Sequence, residues 1–126
     1  MNVAVWIVQI LLALAFGGAG IMKTTQPKEK LAANMKWVED FAPNTVKGIG
    51  ALEALAAIGL ILPWLTGILP ILTPLAAVGL VLTMIGAMIT HARRGEYPGL
   101  VVNLVLLALA LFVAYGRFVA VPYGAA

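Results

Sequence analysis

The chain has 126 residues, of which 63% are hydrophobic and 10% charged, with 8 Lys and Arg against 5 Asp and Glu and no Cys. A water-soluble domain carries roughly a quarter charged residues, so this much apolar surface excludes one small soluble core, and the mean hydropathy of +1.04 reads as an integral membrane protein. The net charge of +3 reflects scarce acids rather than a basic patch, which excludes nucleic-acid binding, and the absence of Cys excludes disulfides, thiol relays, haem attachment and Cys-based metal sites.

Crossing a membrane takes about 20 apolar residues per helix, so the composition predicts a single domain over 1–126 that is an all-α, integral membrane four-helix bundle. Val3 to Met22 carries no charge and reads as span one. It reads as a retained helix rather than a cleaved signal peptide, because no basic segment precedes it and the apolar run is too long. The segment Lys23 to Lys47 is too polar to span. Within it Leu31, Met35, Val38 and Ala42 recur at helical spacing with Phe41 beside them, which predicts a short amphipathic helix at the interface between helices 1 and 2.

Ala54 to Thr90 is a stretch of 37 residues without a charge. One helix of that length would measure about 55 Å, so the chain must fold back, and Pro63, Gly67 and Pro70 mark where. Span two therefore covers about 48–65, with Asn44 as its N-cap, and span three covers about 71–91. Span four covers about 98–116, with Pro98 in its first turn and Arg117 at its end. Lys23, Lys28, Lys30, Lys36, Lys47, Arg93 and Arg94 lie in the first and third connections, against Arg117 alone on the other side. The positive-inside rule puts those two loops in the cytoplasm and both termini outside.

By these boundaries Glu53 is the one charged residue inside a span, and an acid at membrane depth costs several kcal/mol unless it faces the bundle interior. It shares a face with Gly50, Ala54 and Ala57. His91, the single histidine, ends a stripe with Gly79, Thr83 and Ala87, and Asn103 shares a face with Gly99, Ala110 and Ala114. Glu53 and Asn103 each lie five residues inside the same membrane border, about 7.5 Å deep, with His91 at that border. The three polar groups thus converge, and Glu53 with His91 make a pair able to accept, donate or relay a proton, with Asn103 orienting a carbonyl or hydroxyl. Gly17 and Gly20 of span one reach the same level and leave either room for a ligand or a tight helix contact. Gln9 contacts the same cavity from its far side, and Arg93 stands at its border. These five, Asn103, Gln9, Gly17, Gly20 and Arg93, are candidate ligand contacts. Trp6, Trp64 and Trp37 read as interfacial belts, and Thr66, Thr73 and Thr90 as bonding their own helix backbones. No metal is expected, since one histidine without companions makes no tight site.

A Lys-rich first connection, VKGIGALEALAAIGLILP at Val46 to Pro63, TPLAAVGLVLTMIGAMITHARRGE at Thr73 to Glu96 and NLVLLALALFVAYGR at Asn103 to Arg117 together resemble the DoxX or DoxX-like family of small bacterial membrane proteins. That resemblance implies a four-helix bundle in the bacterial cytoplasmic membrane, distantly similar to vitamin K epoxide reductase-like bundles. It also implies respiratory or redox chemistry, as in the thiosulfate:quinone oxidoreductase membrane subunit. Without Cys, such a role must rest on binding a quinone or a redox partner, so enzymatic activity stays open. The alternative is a non-enzymatic membrane assembly or chaperone-like protein whose small-residue faces bind other membrane proteins. Both readings include contact with membrane lipids.

Overall fold

The computed structural model describes residues 1–33 and 35–124. Five α-helices follow one another: α1 (Asn2–Thr25), α2 (Lys28–Ala32), α3 (Pro43–Thr66), α4 (Leu72–Arg93) and α5 (Tyr97–Tyr115), the last continued by a wider π-helical turn at Gly116–Ala120. Four of them, α1, α3, α4 and α5 with its π turn, are long and apolar enough to cross a membrane. Leucines, isoleucines and valines such as Val3, Leu14, Leu52, Leu55, Leu82 and Val101 point outward, as expected where the surrounding solvent is lipid and only the bundle interior must be packed or satisfied.

The helices pair as α1 with α3 and α4 with α5, and α3 packs on α4. The α1–α3 contact is set by glycine. A Cβ on Gly20 would meet the Gly50 carbonyl oxygen at 2.5 Å and the Ala54 nitrogen at 2.7 Å, so the two backbones touch with no side chain between them. Gly17 faces Ala57 of the same helix. Leu12, Phe16, Leu60, Leu80, Met84, Ala110 and Val113 fill the centre.

The chain ends each helix earlier or later than the apolar runs alone suggest. Span one runs on to Thr25 and stops before Pro27, so Lys23 sits inside the helix and is buried. Asn44 is not the cap of α3: Ala42 caps it and Pro43 takes the first turn, where its missing N–H costs nothing. The first connection is not one amphipathic helix. It is α2 and a 3-10 turn at Lys36–Asp40, on either side of Asn34, which lies outside the described residues. The predicted apolar stripe still turns inward, with Leu31 and Val38 buried against Val46.

Pro63 lies within α3 and has no N–H to give to the Gly59 carbonyl. The Thr73 hydroxyl of α4 donates to that oxygen instead, at 2.7 Å. Thr66 and Thr90 bond their own helices as expected, and so does Thr83, but Thr73, expected to do the same, ties two helices together. Thr73→Val keeps shape and removes the donor, leaving a partly buried carbonyl unpaired; it is expected to lower stability by about 1–2 kcal/mol in a micelle unfolding titration, against no change for Thr83→Val.

Candidate functional site

In an α-helix every side chain leans toward the N-terminus, so on antiparallel helices side chains one turn apart lean toward each other. Lys23 of α1 stands level with Gly50 of α3, whose missing Cβ would fall 2.5 Å from the Lys23 Cβ. From there the lysine stem runs inward and meets Glu53, one turn deeper: Nζ lies 2.5 Å from Oε1. Both residues are buried, at 8% and 3% exposure. The Trp37 ring lies 5.2 Å from Nζ and covers the pair from the side of the first connection. Glu53 therefore has a cation of its own, which the sequence reading did not assign to it.

This ion pair lines a cavity of about 650 Å³, walled by Phe16, Met84, Leu106, Trp37 and Phe41, with Thr83, Thr90, His91, Arg93 and Asn103 also on its surface. Asn103 is the telling member. Its side chain is 8% exposed, and among the described residues its amide has no hydrogen-bond partner. Asn103 lines the cavity, so its amide is available to a hydrogen-bonding group placed there.

His91 does not pair with Glu53. Its Nδ1 lies 3.0 Å from Glu96 Oε1. The turn that follows α4 explains why: Gly95, at φ 69°, lets the Gly95 N–H reach the Ala92 carbonyl and the Glu96 N–H reach the His91 carbonyl, closing a Schellman turn that folds Glu96 back onto the last helical turn. The ring also rests on Gly99, where a Cβ would come within 2.7 Å of it. Arg94 completes the cluster, with Nη1 2.8 Å from Asp40 Oδ1 and Nε 3.3 Å from Glu96 Oε2, the latter close enough for ion pairing but not aligned as a hydrogen bond. The Asp40 contact ties the first connection to the α4–α5 turn. A second, shallower cavity of about 480 Å³ opens beside it, lined by Lys36, Glu96, Pro98 and Gly99, and shares Met35, Trp37 and His91 with the first.

Desolvation pushes the Glu96 carboxyl up, but the His91 hydrogen bond and the Arg94 guanidinium together outweigh it and hold Glu96 below its ordinary value of 4.5. The Asp40 hydrogen bond, partly opposed by desolvation, raises Arg94 above its ordinary value. A carboxyl lowered by folding contributes stability that is present above 4.5 and is lost as the pH falls through its lowered folded value. Proteolysis of the 26–42 connection is therefore expected to be constant from pH 8 to 5 and to rise only below 4.5; a rise between pH 7 and 6 would contradict this assignment.

Of the residues singled out from sequence, Glu53, His91, Asn103 and Arg93 line the one cavity, whereas Gln9, Gly17 and Gly20 do not. Gly17 and Gly20 face α3. Gln9 lies at the other end of the bundle, fully buried, where its Nε2 donates to the Leu60 carbonyl at 2.6 Å and its Oε1 accepts from Arg117 Nε at 2.5 Å. Arg117 also donates to Asn2 Oδ1 at 2.7 Å, and its guanidinium lies 4.5 Å from the Trp64 ring and 5.5 Å from the Trp6 ring. The two tryptophans, expected to be interfacial belts only, thus enclose a buried cation.

A glutamate inside one span, a histidine closing the next and an asparagine opening the last, on four apolar helices, is the arrangement that comparison with known families addresses. The profile of the DoxX-like family matches residues 7–113. The chain belongs to the DoxX-like family. The match runs from the first turns of α1 to the last of α5, so this DoxX-like chain carries Lys23, Glu53, His91 and Asn103 within the family region. Searches of curated proteins and of solved structures returned no match.

Proposed function

We propose that this DoxX-like membrane protein binds a lipophilic small molecule with hydrogen-bonding oxygens, a quinone or related isoprenoid, in the cavity between Lys23, Glu53, His91 and Asn103, and supports membrane redox chemistry by handling its protons. The observation that carries this reading is the Asn103 amide, nine-tenths buried, without a partner among the described residues and lining a cavity of about 650 Å³. A quinone carbonyl accepts from an amide N–H, and a quinol hydroxyl donates to its oxygen, so one amide serves both redox forms. Phe16, Met84 and Leu106 offer the apolar surface that a ring and prenyl tail require. Glu53 and His91 are the proton-handling groups, and Lys23 holds the Glu53 carboxylate in place through its direct contact.

The same reading sets the cavity in the cytoplasmic leaflet of the bacterial inner membrane, since the Lys and Arg residues of the first and third connections cluster at its end of the bundle. Asn103→Leu supplies the test. It replaces the amide with an apolar side chain of similar volume, so the fold should hold while binding of a short-chain benzoquinone to protein in lipid nanodiscs weakens tenfold or more, the loss expected for one buried hydrogen bond. Wild-type protein that binds no more of the quinone than empty nanodiscs would end the proposal.

A further inference from the structure

The two cavities differ in what they reach. The larger is floored by the Lys23–Glu53 pair at membrane depth, and the smaller is bordered by Lys36, Glu96 and Pro98 at the end of the helices. Of the three residues common to both, Met35, Trp37 and His91, only His91 can carry a proton. A carboxylate only accepts hydrogen bonds, so the contact at 3.0 Å makes His91 Nδ1 the donor to Glu96 and leaves Nε2 as the ring's free nitrogen. Gly99 supports the ring from below, and the Schellman turn at Gly95 fixes Glu96 itself.

We propose that Glu96 is a positioning residue which holds His91 as a proton conduit between the membrane-level cavity and the shallower one. The proposal rests on the quinone reading above for the identity of the proton donor on the membrane side. A proton released by the bound molecule is taken up at Nε2, and the Nδ1 proton passes to Glu96 Oε1 and from there to water. Only N–H and O–H bonds form and break, and the reverse path delivers a proton inward. The charged groups around the ring divide the labour: Arg94, itself held by Asp40 of the first connection, pairs with Glu96, Arg93 and Lys36 border the openings, and Lys23 holds Glu53 in its pair.

The chain has one histidine, so ¹⁵N-histidine-labelled protein in nanodiscs gives one pair of ring-nitrogen signals. At alkaline pH the wild-type proton is expected on Nδ1. Glu96→Ala, which removes the acceptor, is expected to move it to Nε2. Glu96→Gln keeps an acceptor but cannot take the proton, so the Nδ1 proton is expected to stay in place and to exchange with water at least tenfold more slowly, with Glu96→Asp restoring fast exchange. A purely structural Glu96 would leave the exchange rate unchanged in the glutamine variant, and that result, or a wild-type proton on Nε2, overturns the conduit. Benzoquinone binding measured on the same samples separates the two proposals: binding with unaltered exchange removes the conduit alone, whereas altered exchange without any wild-type binding removes the quinone reading and leaves Glu96 as the positioner of His91.

Discussion

Glu53→Leu is expected to destabilise the bundle by about 3–5 kcal/mol, because it leaves the Lys23 ammonium buried without its partner. The double substitution Lys23→Leu with Glu53→Leu is expected to recover most of that loss, since two apolar side chains replace two charges where the helices already pack. Stability is read from unfolding in mixed micelles. The double variant should fold and yet bind no benzoquinone above background, which separates holding the helices together from holding a ligand. Equal stabilities for the single and double variants would show that the ammonium escapes to water, against the 8% exposure of Lys23.

Gly20→Ile is expected to cost roughly 3 kcal/mol or more, at or beyond the usual range for overpacking, because the atoms in the way are backbone and cannot rotate aside. The Gly50 oxygen and Ala54 nitrogen both lie within 2.7 Å of the new Cβ. Gly18→Ile is the control: it is exposed on the same helix with nothing within 4 Å, so it is expected to be neutral or slightly stabilising as the helix loses a glycine. Parting α1 from α3 also separates Lys23 from Glu53, so the Gly20 variant should lose ligand binding along with stability.

The bundle was legible in the sequence because lipid imposes a coarse rule, about 20 apolar residues per crossing, and two prolines around Gly67 show where the long run turns back. Glu53 and Asn103 were legible for the same reason: a polar side chain at membrane depth is rare enough to stand out. Lys23 was not, because counting apolar residues ends span one at Met22, whereas a helix stops where its hydrogen bonds stop, here before Pro27. A signal was present all the same. Gly20 and Lys23 have the spacing of Gly50 and Glu53, a small residue one turn from a charge of opposite sign, and antiparallel glycine contact brings such charges together. The partner of His91 was obscured for a different reason, since it depends on Gly95 turning Glu96 back, a feature of the turn rather than of helical periodicity. Gln9 was placed on the correct helix face but at the wrong end, because a face specifies direction and says nothing of depth.

Arg117 joins α1 through Asn2 and Gln9, α3 through Trp64 and the Gln9 bond to Leu60, and the end of α5 to which it belongs. Three of the four long helices are thereby riveted at one end, while the opposite end holds the cavities and the jointed first connection. A widening that admitted a bulky guest would then be expected to act like a clothes-peg, pivoting at the arginine and spreading at the lysine and glutamate. If the proposed cavity takes a lipophilic guest, that guest is expected to enter at the lysine and glutamate end, where both cavities lie, and not beside Arg117.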